Sequence, residues 1–354
     1  MLKLAYAPYT LDFKEPGGTS RGILKQKKTY LLKLWDTSAP DSYGIGEAAL
    51  FPGLSSDDTP RYEYKLIETM ANIALGRQTD LTDFPSIQFG LEQAILDFSN
   101  GGKGIYYPSD FTAGNGYITI NGLIWMGQLD EMLQRIEEKI SDGFKCLKLK
   151  IGAINFADEL SMLKAIRNRF SPEQLTIRVD ANGGFNMDNV IPALHALAAY
   201  GIHSIEQPIK AGTPELIGFL TDISPIPIAL DEELIGINRT ADKIRLLDEA
   251  HPHYIILKPA LCGGFSGATE WIKLAEERSI GWWVTSALES NIGLSALTQW
   301  VATLNTSMPQ GLGTGHLFTN NFPSPLTLNS ERLSFRPDAI PLDRTMFDNL
   351  PWIS

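Results

Sequence analysis

The stretch Cys146-Leu147-Lys148-Leu149-Lys150 alternates apolar and charged side chains. A period of two is typical of a β-strand, so both lysines point to one face and both leucines to the other. Charged side chains are normally excluded from buried parallel strands, so this is not an ordinary core strand. The pattern predicts that the leucines pack against helices while the lysines face an enclosed interior.

The same alternation of strand-like and helix-like runs continues along the chain from Tyr117. The predicted strands are Tyr117–Trp125, Cys146–Ile151, Leu175–Asp180, Ser204–Gln207, Ile226–Asp231, Tyr254–Lys258 and Trp282–Ser286. Strands spaced about 25–30 residues apart, with helical runs between them, indicate a parallel α/β barrel. Lys148 and Lys150 would then point into the barrel.

The first part of the chain has a different order of elements. Three alternating stretches are followed by two helical patterns, at Leu2–Phe13, Thr29–Trp35, Tyr43–Leu50, Pro60–Leu75 and Pro85–Phe98. A run of strands followed by a run of helices is typical of an α+β unit. The segment from Glu15 to Gly22 is polar and glycine-rich, so we expect it to lie outside the core.

Composition and charge exclude several classes of function. The 354 residues include 30 Lys and Arg against 41 Asp and Glu, a net charge of −11. This charge argues against binding to nucleic acid or to an anionic membrane. Two cysteines, Cys146 and Cys262, cannot form a disulfide framework, and a reducing compartment fits best. No signal peptide and no run of ~18 apolar residues is found, so a cytoplasmic protein is expected.

Charged residues stand at the carboxyl ends of the predicted barrel strands. In a barrel these ends meet at one mouth, where active sites form. Asp180, Glu206 and Asp231 end three successive strands and would repel one another strongly without a cation. Their oxygens suit Mg²⁺, and Mn²⁺ is served by the same ligands. Each carboxylate alone could equally be a helix cap or a salt-bridge partner, but three in succession predict a metal site.

Lysines would reach this site from opposite sides of the barrel. Lys148 and Lys150 lie on the second predicted strand, and Lys258 ends the sixth. A buried lysine near a dication and other lysines has a lowered pKa and can act as a base near neutral pH. Lys258 could instead be a surface lysine, but the apolar run Tyr254–Leu257 before it argues for a buried position.

Taken together, these motifs resemble the enolase superfamily, in its muconate-lactonising subgroup. The resemblance rests on Lys148-Leu149-Lys150, Val179-Asp180-Ala181-Asn182-Gly183-Gly184-Phe185, Ile205-Glu206-Gln207-Pro208, Ala229-Leu230-Asp231-Glu232 and Leu257-Lys258-Pro259. It implies an α/β fold, a modified TIM-type (β/α)7β barrel over residues 111–321, with an α+β N-terminal capping domain over residues 1–110. Residues 322–354 are expected to return to the capping domain.

The resemblance also implies a reaction, in which a proton is removed alpha to a carboxylate of a small-molecule substrate. Asp180, Glu206 and Asp231 would hold Mg²⁺. Lys150 would be the base, Lys258 a cation on the opposite face, and Lys148 a neutralising charge. No nucleic acid or membrane partner is expected, and a homo-oligomer is left open.

Three further stretches resemble dehydratases of that subgroup. They are Gly46–Ser55, Thr285–Leu294 and Gly311-Leu312-Gly313-Thr314-Gly315. The resemblance implies syn dehydration of 2-succinyl-6-hydroxy-2,4-cyclohexadiene-1-carboxylate, a step in menaquinone biosynthesis. Substrate contacts are expected from Ser286, Ser290 and Leu312 at the barrel mouth, and from Arg21 in a mobile cap loop, Gly18–Gly22.

Two alternatives remain at this point. One is racemisation of N-acylamino acids, or epimerisation of dipeptides, on the same scaffold. Dipeptide epimerases of the subgroup usually carry an Asp-x-Asp pair in the final loop, which Gly311–Gly315 lacks. The other alternative is a metal-stabilised binding protein without catalysis, and the intact set of lysines and carboxylates speaks against it.

Overall fold

A computed structural model describes residues 1–19, 22–124, 129–152, 155–338 and 344–354. Its N-terminal unit consists of β1 (Leu2–Thr19), β2 (Gly22–Asp36), β3 (Ala39–Ala48), α1 (Tyr62–Ala74) and α2 (Pro85–Ser99). The three strands form an antiparallel sheet with β2 in the centre. Leu32, Leu66 and Ile87 are fully buried between sheet and helices. A Cβ on Gly46 would lie 2.0 Å from the Gly90 carbonyl oxygen, so glycine permits α2 to lie directly on β3.

The first hairpin is longer than the sequence predicts. Instead of ending at Phe13, β1 runs to Thr19, and its register with β2 shifts between Asp12 and Gly17. Such an irregularity leaves the residues between these two positions unpaired and lets the ladder continue beyond them. Ser20 and Arg21, the centre of the predicted mobile loop, lie outside the described residues.

The second unit is a seven-stranded parallel sheet with helices between its strands. Its strands are β5 (Gly122–Ile124), β6 (Cys146–Lys150), β7 (Thr176–Asp180), β8 (Ser204–Glu206), β9 (Ile228–Leu230), β10 (Tyr254–Leu257) and β11 (Gly281–Val284), and they lie side by side in chain order. The helices that follow them are α3 (Leu129–Ser141), α4 (Phe156–Arg167), α5 (Val190–Ala198), α6 (Pro214–Ile223), α7 (Thr240–Ala250), α8 (Gly264–Glu276) and α9 (Asn291–Val301).

The sheet closes through a short segment after α9. Gly311 pairs in parallel with Thr285 beyond β11, and Gln310 pairs in parallel with Ile120 just before β5. These bridges join the two edges of the sheet, so the predicted (β/α)7β barrel is confirmed. The closing segment is too short to show the alternation by which a strand is recognised in a sequence.

The predicted strand Tyr117–Trp125 is divided between two sheets. β4 (Ile118–Thr119) pairs antiparallel with β13 (Arg332–Phe335), which also pairs with β12 (Leu326–Asn329), whereas β5 belongs to the barrel. The prediction of one continuous strand is therefore wrong, because the chain passes from one sheet to the other between Thr119 and Gly122. Trp125 lies outside the described residues.

The C-terminal segment contacts the N-terminal sheet. Ile353 pairs with Tyr6, and the Tyr43 hydroxyl donates to the Arg344 carbonyl. Phe347 is fully buried in a cluster with Leu31. The Ile353 pair extends the edge of the sheet at β1, whereas Phe347 covers the face that carries Leu31, opposite to the helix-facing Leu32.

The next two observations concern the cysteines and the possibility of membrane-spanning helices. Cys146 and Cys262 are both free thiols in buried positions. In the described ranges, none of the helices combines the length and the apolar character that crossing a bilayer requires.

Candidate active site

Strand register brings the predicted charged residues together at one end of the barrel. Lys150 lies opposite Asp180 in the β6–β7 ladder, and Asp180 lies opposite Glu206 in the β7–β8 ladder. Asp231 directly follows β9, and Lys258 directly follows β10. Asp180, Glu206 and Asp231 are almost completely buried. Because parallel strands in register end at the same level, the spacing of these residues in the sequence becomes proximity in space.

Each of the three lysines contacts a carboxylate. Lys150 Nζ donates to Asp180 Oδ2 and to Asn182 Oδ1, both at 2.6 Å. Lys148 Nζ donates to Glu206 Oε1 at 2.7 Å and lies 2.8 Å from Asp180 Oδ2. On the other side of the barrel, Lys258 Nζ donates to Asp231 Oδ2.

The neighbouring carboxylates raise the pKa values of Lys148 and Lys258. Burial opposes the charged form of Lys148, but Asp180, Glu206 and Asp231 together raise its pKa above the usual value. Burial likewise opposes the charge of Lys258, and Asp231 and Glu232 raise its pKa. Both pKa values rise because carboxylates, and not other cations, are the nearest charged neighbours of Lys148 and Lys258. The lowered pKa expected for a lysine beside a bound dication stays a prediction.

The carboxylates respond in opposite directions. Burial opposes ionisation of Asp180, but Lys148 and Lys150 lower its pKa. The pKa of Glu206 is raised well above the usual value by burial, and Asp180 and Asp231 add to the effect. Burial together with the neighbouring carboxylates thus makes Glu206 harder to ionise than Asp180, although Lys148 contacts both.

A shortage of positive charge among these side chains fits a cation site. Four carboxylates (Asp180, Glu206, Asp231 and Glu232) meet three lysines (Lys148, Lys150 and Lys258), which leaves 3 − 4 = −1 when all are ionised. An all-oxygen donor set suits Mg²⁺ or Mn²⁺. Over the described part of the chain, no three acidic, histidine or cysteine side chains stand ready to hold a metal ion. The carboxylate oxygens suit a dication, but in this structure they accept hydrogen bonds from the lysine ammonium groups. The side chains would therefore have to move for these oxygens to bind a dication.

A cavity of about 440 Å³ opens above these charges. Lys148, Lys150 and Lys258 contribute to its base, together with Asn182 and Glu232. Its remaining wall combines apolar side chains of the N-terminal unit with small or polar residues of the barrel loops, including Leu24, Phe51, Pro52, Leu54, Asn121, Thr285, Ser286, Gly311, Gly313 and Thr314. A small molecule in this cavity would touch both units.

The structure separates the predicted substrate contacts from one another. Ser286 lines the cavity. Ser290 is fully buried away from it, with its hydroxyl donated to Glu47 Oε2 at 2.6 Å and its side chain capping α9. Leu312 has no exposed surface and lies on the other side of its loop, against Leu326 and Leu333. The prediction of Ser290 and Leu312 as contacts is therefore wrong, and Arg21 lies outside the described residues.

Sequence reasoning missed two polar residues at the base of the cavity. Asn182 has a left-handed backbone with φ 43°, accepts from Lys150, and donates to Glu232 Oε1 at 2.8 Å. Asparagine is among the few residues that adopt this conformation readily. Asn182 follows Asp180 by two positions and Glu232 follows Asp231 directly, so nearness to the predicted metal ligands was a usable signal.

Comparison with known proteins identifies a matching family, a related sequence and a related crystal structure. The family described as Enolase C-terminal domain-like matches residues 131–337. An o-succinylbenzoate synthase from Desulfotalea psychrophila is 43% identical over 93% of this chain and 97% of its own length. The crystal structure of MenC from Desulfotalea psychrophila superposes with a TM-score of 0.84 at 40% identity, covering 94% of this chain and 99% of that one.

More distant relatives have other activities. An L-Ala-D/L-Glu epimerase from Francisella tularensis subsp. novicida is 28% identical over 72% of this chain and 74% of its own length. Muconate lactonizing enzyme from Pseudomonas putida superposes with a TM-score of 0.74 at 20% identity, covering 99% of this chain and 98% of that one. At that identity the likeness shows the fold alone.

Proposed function

Since this chain belongs to the enolase superfamily, we propose that it is an o-succinylbenzoate synthase. The likeness to the Desulfotalea psychrophila enzyme, over nearly the full length of both chains, carries this proposal. The cavity supports it, because lysines and carboxylates from five strands meet below a space suited to a small carboxylate. The substrate is 2-succinyl-6-hydroxy-2,4-cyclohexadiene-1-carboxylate, and the pathway is menaquinone biosynthesis.

The reaction removes water from adjacent ring carbons. The C1–H bond and the C6–O bond break, and a C1=C6 double bond forms. The hydroxyl leaves as water with a proton from the enzyme, and the ring becomes aromatic. Because aromatisation favours the product, the protein mainly has to orient the substrate and stabilise charge.

Asp180, Glu206 and Asp231 are the residues that would hold Mg²⁺, or Mn²⁺ in its place. When bound, the divalent ion supplies positive charge to the substrate carboxylate, where negative charge develops as the alpha proton leaves. The strand register supports this assignment, since it places Asp180 beside Glu206 and both close to Asp231 at the end of the next strand.

We assign the proton transfers to Lys150. In its neutral form, Lys150 accepts the C1 proton and then gives it to the departing hydroxyl on the same face of the ring. In this dehydration Lys148 and Lys258 act as cations and transfer no proton. Lys148 neutralises the carboxylate region, and Lys258 stabilises the developing negative charge from the opposite face.

N-acylamino acid racemisation is a second candidate, as a side activity. It is favoured by one observation, that Lys258 faces the cavity opposite Lys150 and can serve as a second base. Dipeptide epimerisation is less well supported, because the loop Gly311–Gly315 contains no carboxylate to hold an ammonium group. We place the reaction in the cytoplasm, which is supported by the two free buried thiols.

A direct comparison of substrates tests this assignment. We expect kcat/KM for dehydration of the hydroxycyclohexadiene substrate to exceed by far kcat/KM for deuterium exchange into N-succinyl amino acids and dipeptides. Both are measured at the same Mg²⁺ concentration. Faster exchange into an N-acylamino acid, with slow dehydration, would transfer the assignment to a racemase.

A further inference from the structure

A buried lysine outside the reaction site lies where the N-terminal sheet meets the barrel. Lys27, on β2, is 3% exposed, and its Nζ makes no hydrogen bond to any described residue. The ammonium lies 5.8 Å from the ring centroid of Phe51, which lines the cavity. Burial lowers the pKa of Lys27, and the carboxylates of Glu47 on β3 and of Glu289 in the loop after β11 oppose this shift. A buried cation without hydrogen bonds is costly, so its presence needs a reason.

Both carboxylates are held in place by hydrogen bonds from hydroxyl and N–H donors. Glu47 accepts from the Thr29 hydroxyl at 2.8 Å and from the Ser290 hydroxyl at 2.6 Å. Glu289 accepts from the Ser286 hydroxyl at 2.5 Å and from the Ala287 N–H at 3.0 Å. Lys27 therefore supplies positive charge to two carboxylates, of which Glu47 links the N-terminal unit to the barrel through Ser290.

The hydrogen bonds of Ser286 extend this arrangement to the cavity wall. Ser286 Oγ donates its only proton to Glu289 and accepts from the Leu288 N–H at 2.9 Å and from Thr314 Oγ1 at 2.8 Å. A hydroxyl has one donor and two acceptor positions, so Ser286 is saturated. Thr314, which lines the cavity, has given its proton to Ser286 and is left with acceptor capacity alone.

We infer that Lys27 is a positioning residue that acts through Glu289, keeping the Ser286 and Thr314 protons directed away from the cavity so that Thr314 accepts a hydrogen bond from the leaving hydroxyl of the substrate. The inference rests on the proposed function. With both carboxylates ionised, that substrate carries a single hydrogen-bond donor, the hydroxyl at C6. An acceptor on the wall can therefore orient that hydroxyl and no other group of the substrate.

Loss of the Lys27 charge would reverse the chain of hydrogen bonds. Burial raises the pKa of Glu289, and Lys27 opposes this rise. Lys27 is the cation that acts on Glu289, and Glu47 is the other carboxylate that acts on Lys27. Without Lys27, Glu289 would hold its proton to higher pH and donate it to Ser286. The Ser286 and Thr314 hydroxyls could then turn donors toward the cavity.

Four variants test the inference in the full-length protein. Lys27→Met removes the charge and keeps the length of the side chain. Glu289→Gln imitates the protonated acid, since an amide that accepts from the Ala287 N–H presents its NH₂ to Ser286. Thr314→Val removes the acceptor at the cavity. Lys28→Met, at an exposed neighbouring position on β2, is the matched control.

We expect Lys27→Met to lower kcat/KM about tenfold at pH 7, the effect of a hydrogen bond worth about 1.4 kcal/mol. The acidic limb of the pH profile of kcat/KM should move to higher pH in this variant, because activity returns only when Glu289 ionises. Glu289→Gln should show a similar loss without that pH dependence. Adding Lys27→Met to Glu289→Gln should change little, since Lys27 acts through Glu289. Inhibition by the product, which lacks the hydroxyl, should stay unchanged in every variant, Thr314→Val included.

Three results would overturn the inference. One is a wild-type pH profile in Lys27→Met, and another is additive losses in the double variant. A third is weaker product binding in parallel with lower kcat/KM, which would mean that the cavity itself is distorted. If Lys27→Met does not fold, Lys27→Gln, which also lacks the charge, takes its place in the same assays. A wild-type protein without turnover would instead refute the proposed function.

Discussion

Replacing Lys150 with methionine is expected to stop dehydration without weakening metal binding. A positioned acid or base contributes roughly 10²–10⁴-fold to a rate, and Lys150 is assigned both proton transfers, so we expect the upper end. A 10⁴-fold loss corresponds to about 5.4 kcal/mol of barrier height. The site would change from three lysines against four carboxylates to two against four. Its net charge falls from −1 to −2, so affinity for a dication should stay the same or increase.

Arginine at the same position is the matched control. Lys150→Arg keeps the positive charge beside Asp180 but cannot lose its proton near neutral pH, so it should be nearly as inactive as the methionine variant. Turnover is followed by loss of the diene absorbance, and metal affinity by titration calorimetry with Mn²⁺. Activity within tenfold of wild type in either variant would refute the assignment of the base. Lost metal binding would show that Lys150 organises the carboxylates instead.

Three further predictions concern the metal ligands, the contact between the units and one buried acid. Asp231→Asn should weaken Mn²⁺ binding at least about tenfold in the same titration, because an anionic ligand is lost; unchanged affinity would remove it from the ligand set. Glu92→Ala should cost about 1 kcal/mol in urea unfolding with kcat unchanged, since Glu92 of α2 accepts from the Phe265 N–H in the first turn of α8; equal midpoints would contradict this. Burial raises the pKa of Asp57 to about 6. A raised carboxyl pKa lowers stability as pH rises through the range from about 4 to 6, so Asp57→Asn should stabilise the fold by up to about 3 kcal/mol at pH 8 and by little at pH 4; a constant gain at both pH values would contradict this.

The base of the site follows from the sequence because strand geometry is regular. Alternation in residues 146–150 fixes the direction of both lysines, and parallel pairing places Asp180 beside Glu206. Such positions depend only on the period of the strand and on the closure of the barrel. The order of residues along the chain is therefore enough to predict them.

The cavity wall could not be predicted in the same way, because it is built from loops. Ser286 and Ser290 lie four residues apart, and the turn between them has Leu288 in a left-handed conformation with φ 60°. That turn directs one serine to the cavity and the other to Glu47. Leu312 faces away from the cavity although its neighbours Gly311 and Gly313 line it. No periodic pattern in the sequence encodes these directions.

Metal-dependent dehydration is the measurement that tests the central claim most directly. Purified protein is mixed with 2-succinyl-6-hydroxy-2,4-cyclohexadiene-1-carboxylate, and the diene absorbance is followed with Mg²⁺, with EDTA, and after Mg²⁺ is restored to the EDTA-treated protein. We predict rapid loss of absorbance with Mg²⁺, none above background with EDTA, and full recovery on restoration, with o-succinylbenzoate as the product. A rate that EDTA leaves unchanged would contradict the metal site at Asp180, Glu206 and Asp231, and the absence of turnover with Mg²⁺ would contradict the synthase.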